Sequence, residues 1–373
     1  MMDNWYLVRL DFGQNVAHFG RVGIGLEETS DRLPSDSLFS ALISTYARIY
    51  PEHLGSLLDA INGPKPPFRH SSTFIYVRNQ ETYRYYLPKP LSFPKNYQTD
   101  DNLTLTKAYK KLAYLPLEVW QSWYQGEGFT KADGDEIIAH AQAQSSQENR
   151  LQKLGMFDYG KTHRTAKLPK VSLDRITQAS NFYHTKVVQF QCEFKEAESQ
   201  KTQSGKRQPE KQAGLYFLLH FPQANPELMD QLKTVLSVLA DEGIGGERSS
   251  GAGRFTLDWV KTLPEAWRSL LQFAKPNAYS LLSLFWNDQK DELSQIKEDK
   301  NARYEFQDRG GWVSSSPTGI QERRKKVRMF SEGSVFAFPP QGRLADVTPP
   351  RFNAHPVYRS GLALSLPISI DLQ

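Results

Sequence analysis

Apolar and polar positions alternate from Trp5 to Phe12, which predicts a first strand with Trp5, Leu7 and Arg9 on one face and Tyr6, Val8 and Leu10 on the other. His18 to Gly25 reads as a flexible loop. From Pro34 the period changes: Leu38, Leu42, Tyr46 and Ile49 recur at helical spacing, Pro34 and Ser35 open the helix, Asp36 sits in its positive first turn and Pro51 stops it. Arg69 to Val77 and Thr82 to Leu87 are rich in Tyr, Phe and Ile and predict paired strands turning at Asn79. Between Ser92 and Lys170 the alternation gives way to helical pieces at Leu105–Leu112, Leu117–Trp123 and Asp135–Leu154. The last is polar on nearly all sides, so this stretch reads as an insertion with little core of its own.

Val171 to Arg175 leads into a strand over Asn181–Phe194, and Gly214 onward resumes as the next. The polar run Glu196–Gln212 between them predicts a hairpin with a long basic tip. Asn225 and Pro226 then open a helix with Leu228, Leu232, Val235, Leu236 and Leu239 inward, followed by a glycine-rich loop and a strand over Phe255–Val260. Strand, helix, strand, strand, helix, strand is a βαββαβ plan, with helices on one face of an antiparallel sheet. Tyr279–Trp286, Tyr304–Val313, Lys326–Phe330, Ser334–Phe338 and Val357–Leu366 predict a second, β-rich half. The fold class expected is α+β.

Composition narrows the picture a little. At 373 residues and 39% hydrophobic content the chain can build ordinary globular cores in two or three domains. Its net charge of +5 permits nucleic acid without demanding it, and 12% aromatic content supplies rings able to stack on unpaired bases. The single cysteine, Cys192, excludes an intramolecular disulfide and a cysteine-built zinc site, in keeping with a reducing compartment. The start lacks a basic segment followed by an apolar run, and no stretch is apolar enough to span a bilayer, so a cytoplasmic protein without a signal peptide or cofactor is expected.

The chemistry concentrates in GIGGERSSGAGRF, Gly243 to Phe255. Five glycines let the backbone approach a partner, Arg248 and Arg254 offer forked donors that suit phosphate, Ser249 and Ser250 add hydroxyls, and freed N–H groups form an anion-binding nest. Plain helix termination at Gly243 is the alternative. The start of the helix at Ser35–Ser37 is a second anion site or merely a cap. Arg323, Arg324, Lys325, Lys326 and Arg328 make a dense basic run, and in HPVYRSG Tyr358 offers a ring for stacking and Arg359 a phosphate contact. Gly155–Thr162 has the Walker A spacing. A phosphate loop needs a buried strand before it and a helix after it, whereas polar residues precede this string and Pro169 soon follows, so Lys161 is not expected to hold a nucleotide.

HFG near the start, LPSDSLFSALIS, LPKP, VSLDR, GIGGERSSGAGRF, GGWVSSS, RRKKVRMFSEGSVF and HPVYRSGLAL, taken in order, resemble the RAMP superfamily of CRISPR proteins. Within it the chain is most similar to the subunit of type III-A (Csm-type) effector complexes that caps the guide RNA. The resemblance runs end to end and is weakest in Asn96–Lys167 and Glu196–Gln212. It implies two ferredoxin-like (RRM-like) domains, at residues 1–260 with a helical insertion at about 92–170 and at residues 261–373. It also implies a non-catalytic role in antiviral defence, gripping the 5′ handle of the crRNA, with a protruding element wedged into the guide–target RNA duplex. The expected neighbours are a large palm-domain signalling subunit and a backbone RAMP subunit. By position the handle contacts would be Gly245, Gly246, Arg248, Ser249, Ser250, Gly251 and Arg254, with His18, Ser35, Ser37 and Arg359 beside them. RAMP relatives that cut RNA leave an endoribonuclease as the alternative, for which His18, Asp31 and Asp36 are the available groups.

Overall fold

The computed structural model describes residues 4–20, 28–97, 103–193, 209–313 and 322–372. Residues 21–25 of the expected loop and 196–208 of the expected basic tip lie outside the described residues. Strand β1 (Trp5–Asp11) is followed by the short β2 (Val16–Ala17), helices α1 (Ser35–Ile49) and α2 (Pro51–Asn62), and strands β3 (Arg69–His70), β4 (Phe74–Asn79) and β5 (Thr82–Pro88). Pro51 both ends α1 and, at the first position of α2, starts the next helix, where its missing N–H costs nothing. Next come α3 (Leu103–Lys111), β6 (Tyr114–Pro116), α4 (Leu117–Tyr124), α5 (Lys131–Ala141) and α6 (Arg150–Lys153). Strands β7 (His163–Leu173), β8 (Ser180–Phe190), β9 (Cys192–Glu193) and β10 (Lys211–His220) lead to α7 (Pro226–Glu242) and β11 (Thr256–Val260).

The main sheet runs β11-β1-β10-β4-β5-β6 with every neighbouring pair antiparallel. β1 lies between β10, with Trp5 opposite His220, and β11, with Leu7 opposite Val260. The period of two in β1 sorts its side chains as expected. Val8 and Leu10 join a core with Leu38, Phe39 and Leu42 of α1 and Leu232, Val235 and Leu236 of α7. Leu7 joins a second core on the opposite face. Asn225 caps α7 by accepting from the Leu228 N–H at 3.0 Å.

The second core corrects the expectation for the insertion. Leu117, Val119, Trp120, Trp123 and Tyr124 of α4 and Ile137 of α5 are buried against Phe74, Tyr76 and Tyr216 of the sheet. These helices therefore cover its far face. Each such Leu or Val contributes roughly 2 kcal/mol on transfer from water. The Asp135–Leu154 helix is also corrected: α5 starts at Lys131, where Thr130 and Asp133 form a reciprocal capping box, and a turn separates it from α6. The insertion ends as a strand, since β7 pairs with β8 over eleven positions from His163–Phe190 to Leu173–Ser180. Only β9 carries on to pair with β10.

Beyond β11 lie α8 (Glu265–Leu271), β12 (Ala278–Leu281), α9 (Lys290–Glu298), β13 (Phe306–Arg309), β14 (Val327–Phe330), β15 (Val335–Phe336), β16 (Leu344–Asp346), β17 (Tyr358–Ser360) and β18 (Ser365–Ile368). They form a three-stranded sheet, β15-β12-β18, and the pairs β13-β14 and β16-β17. These strands are shorter than the sequence pattern predicts, and both helices were hidden in it. Trp267 of α8 and Leu366 and Ile368 of β18 are part of the core that holds α4. The architecture is α+β with antiparallel sheets.

Candidate nucleic-acid interface

α7 terminates at Gly243, whose φ of +90° an L side chain would resist. The chain then closes a small loop: Ile244 N–H donates to the Gly253 carbonyl at 2.9 Å, and Gly253 N–H donates to Val16 at 2.8 Å. Gly246 N–H reaches the His18 carbonyl, also at 2.8 Å. Cβ atoms here would collide with backbone, at 2.2 Å from the Ile244 oxygen for Gly253 and 2.4 Å from the His18 oxygen for Gly245. The glycines thus do admit a close partner, but at these positions the partner is the chain itself. Gly251 differs, with a φ of +84° and open space around it.

Between the closed ends, Arg248–Ser250 form a single 3-10 turn. Two N–H groups are withdrawn from the expected nest, since Ser250 donates to Glu247 at 3.0 Å and Gly251 to Arg248 at 2.9 Å. What projects outward is side chains. Arg248 is exposed 3.9 Å from Glu242, a carboxylate already held by Arg48 at 2.7 Å. Ser249 and Arg254 are exposed, and their side chains make no hydrogen bond or ion pair among the described residues, although the Arg254 carbonyl accepts from Asn15 Nδ2 at 3.2 Å. The Ser250 hydroxyl is taken by Glu247 and by Lys170 at 3.0 Å.

Lys170 belongs to β7 and also pairs with Glu247, so the β7–β8 hairpin is pinned to the loop. His18 is buried and serves the same joint: its Nδ1 donates to the Lys186 carbonyl of β8 at 2.7 Å, and its ring lies where a Cβ on Gly246 would sit. The hairpin projects away from there. Asp174 organises its turn by accepting from Ile176 at 2.8 Å and Thr177 at 3.0 Å. Val171, Leu173, Ile176 and Phe182 near that end are all exposed. The sequence pattern missed the hairpin and the Lys170–Glu247 clamp. The Asp-x-x-Thr turn signal between two alternating runs was the available clue.

The start of α1 is a different environment, and here expectation is corrected. Ser35 is buried, its N–H donating to Ser72 Oγ at 2.8 Å and its Oγ accepting from Leu284 N–H at 2.9 Å. Asp36 is no cap but the centre of a buried ion triad. Arg309 meets it through Nε and Nη2 at 2.8 and 2.9 Å, and Arg359 through Nη1. Arg309 also donates to Ser37 Oγ at 2.9 Å, and Arg359 to the Gly310 carbonyl. Burial pushes the Asp36 carboxyl upward, but the Arg309 and Arg359 charges overcome it and hold it below the ordinary value. Ser35 and Arg359 are consequently interior residues, joining the start of α1 to the chain's final third.

Among the nuclease candidates, Asp31 accepts from Tyr159 OH at 2.7 Å and lies 4.0 Å from His163, while Asp36 is sealed in the triad and His18 in the joint. In the Walker-like string Lys161 pairs with Asp158 at 3.0 Å, and a strand, not a helix, follows. No helix among the described residues is long and apolar enough to cross a membrane.

Residues 274–368 match the model of the CRISPR Csm4 C-terminal domain. A Mycobacterium tuberculosis protein named CRISPR system Cms protein Csm4 is 28% identical over 370 residues, covering 98% of this chain and 99% of its own. The crystal structure of a Csm3–Csm4 subcomplex of a type III-A CRISPR-Cas interference complex holds a similar fold, with a TM-score of 0.57 and 18% identity over 98% of this chain and 99% of the other. A Csm1–Csm4 cassette crystallised with cA4 does so at 0.53 and 17%, covering 99% and 100%. Its final quarter thus matches the Csm4 C-terminal domain model, and its whole length is similar to proteins named Csm4 and to the fold of Csm4 chains in type III-A complexes.

Proposed function

We propose that the chain is a non-catalytic, crRNA-binding subunit of a type III-A effector complex, holding the 5′ handle of the guide at the Gly243–Phe255 loop. The observation that carries this is the set of side chains Arg248, Ser249 and Arg254, presented outward by a loop whose backbone is locked by its own glycines. A rigid mount lets guanidinium groups meet phosphate without first losing conformational freedom. The β7–β8 hairpin is the protruding element that wedges into the guide–target duplex, its exposed Val171, Ile176 and Phe182 taking the place of stacked bases. Sealing of His18 and Asp36 supports a non-catalytic role, since neither can reach a ribose hydroxyl.

The strand order β11-β1-β10-β4, joined through α1 and α7, supports a ferredoxin-like RAMP domain over residues 1–260, with residues 261–373 as the second. As partners we infer the large palm-domain subunit and the backbone RAMP subunit, because the Csm4 chains of similar fold were crystallised with Csm1 and with Csm3. The protein would act in the cytoplasm.

The test is RNA binding over a salt series. Arg248→Ala and Arg254→Ala should each weaken handle binding and lower the slope of log affinity against log salt by roughly one unit. Unchanged affinity and slope in both, or cleavage of the RNA by the purified chain, would overturn the proposal.

A further inference from the structure

We propose that Trp312, with Arg323 and Arg324 beside it, forms a second RNA contact that takes one unpaired base and its adjoining phosphate. This rests on the RNA-binding reading above but on a different part of the chain. Of the seven tryptophans Trp312 alone is exposed, at 50%, whereas Trp120, Trp123 and Trp267 are fully buried. An indole left in water and yet held fixed needs a reason. It is fixed because Gly310–Val313 continues from β13 alongside the segment leading into β14: Val313 N–H donates to Glu322 at 2.8 Å, Arg324 N–H donates to Gly311 at 2.9 Å, and Trp312 is bridged to Arg323. The Arg323 guanidinium lies 4.9 Å from the indole centroid, a cation–π contact that sets the ring's orientation.

The charge around this ladder is unbalanced. Arg309, Arg324 and Arg359 surround one carboxylate, Asp36, which Arg309 and Arg359 already occupy. Burial, and then repulsion from Arg359, push the Arg324 guanidinium down to about 10, and its Nε has no hydrogen-bond partner. Lys325 and Lys326 follow as exposed residues, Lys325 near Asp346 and Lys326 near Asp308, so that with Glu322 three acids face the five cations Arg323, Arg324, Lys325, Lys326 and Arg328. Asp308, the acid opposite Arg328, is engaged by it at 2.9 Å. A fixed aromatic face beside uncompensated guanidinium fits a base with a phosphate attached. A protein surface would satisfy the indole and leave the surplus charge unanswered.

The experiment measures binding of the full-length chain to a labelled single-stranded RNA of mixed sequence, and to the same RNA in a duplex, across a salt series. Trp312→Ala should weaken single-strand binding about tenfold with an unchanged salt slope, because stacking releases no counterions, while Trp312→Phe keeps most of the affinity. Lys325→Ala and Lys326→Ala should instead lower the slope by about one unit each. Duplex binding should ignore Trp312. Trp312→Ala that binds as the parent does, while Arg254→Ala is impaired, overturns this site and leaves the glycine-loop reading standing. Trp312→Ala that loses a Csm1-type or Csm3-type partner but no RNA affinity also overturns it, in favour of protein docking. A parent chain that binds no RNA at low salt overturns both. Because Trp312 is exposed, its variants should melt with the parent, and Trp312→Phe keeps the test decisive should Trp312→Ala fold poorly.

Discussion

At the start of α1 and at the end of α7 the chain places similar residues, a serine pair with arginine nearby, on a helix terminus beside a turn. One has become interior and the other has stayed open. The difference lies in how negative charge is shared. At α1 a single carboxylate, Asp36, collects two guanidiniums from the final third of the chain and is sealed with them. At α7 two of the local acids are engaged elsewhere, Glu247 by Lys170 and Glu242 by Arg48 as well as Arg248. Arg254 makes no ion pair among the described residues, with Asp11 and Asp241 lining the same hollow. An arginine reads as a phosphate ligand only after the acids in reach have been counted, and those acids are distant in sequence.

That contrast can be broken most forcefully at Asp36. Asp36→Asn keeps the shape but strands two buried cations, so it should cost about 3 to 5 kcal/mol in urea unfolding; a loss below about 1 kcal/mol would mean that the triad is not closed in solution. At the open end the largest effect is expected from Gly253→Ala, which combines a positive φ with a Cβ 2.2 Å from a carbonyl oxygen and should cost more than about 2 kcal/mol. Gly251→Ala, with the same sign of φ but free space, should cost about 1 kcal/mol. Equal losses would show that the loop is not locked where the backbone closes.

Acid should test the closed region next. His70 lies between Phe39 of α1 and Phe68, and burial pushes its pKa down to about 4 from an ordinary 6.5. Between those values the unfolded chain binds the extra proton, so stability is full above about 6.5 and declines as pH falls toward 4. The loss should be about 2 kcal/mol between pH 7 and 5. Urea titrations at the two pH values should show it as the share of the acid loss that His70→Leu removes, since His220, also pushed down to about 4 by burial, contributes its own. Smallest of all, Arg248→Ala and Arg254→Ala should leave stability within about 0.5 kcal/mol while changing RNA affinity. A large stability loss there would make these arginines structural.

What was legible in the sequence follows the range of the forces involved. β1, α1 and α7 were readable because their apolar spacing is local: each presents one face to one core, as Val8 with Leu10 and Leu232 with Val235 do. The glycine loop was readable as an unusual backbone, since only glycine tolerates such φ values, but not whether that backbone would meet a ligand or His18. The insertion was misread because Trp120 and Trp123 find their apolar partners on a sheet face contributed by β4, β5 and β10. α9 escaped because Ile296 is its one buried residue, so it carries no apolar stripe. Ser35 and Arg359 were assigned to RNA because their true partners, Leu284 and Asp36, are 249 and 323 positions away.

Those separations bear on how the protein is made. The first turn of α1 leaves the ribosome 273 residues ahead of Arg309, a lag of roughly 15 to 55 s at ordinary elongation rates. Throughout that interval the Asp36 carboxylate has neither guanidinium to answer it. The joint at the start of α1 is therefore completed only once Arg309 and Arg359 have been made, and a fragment ending before residue 309 leaves Asp36 without either guanidinium.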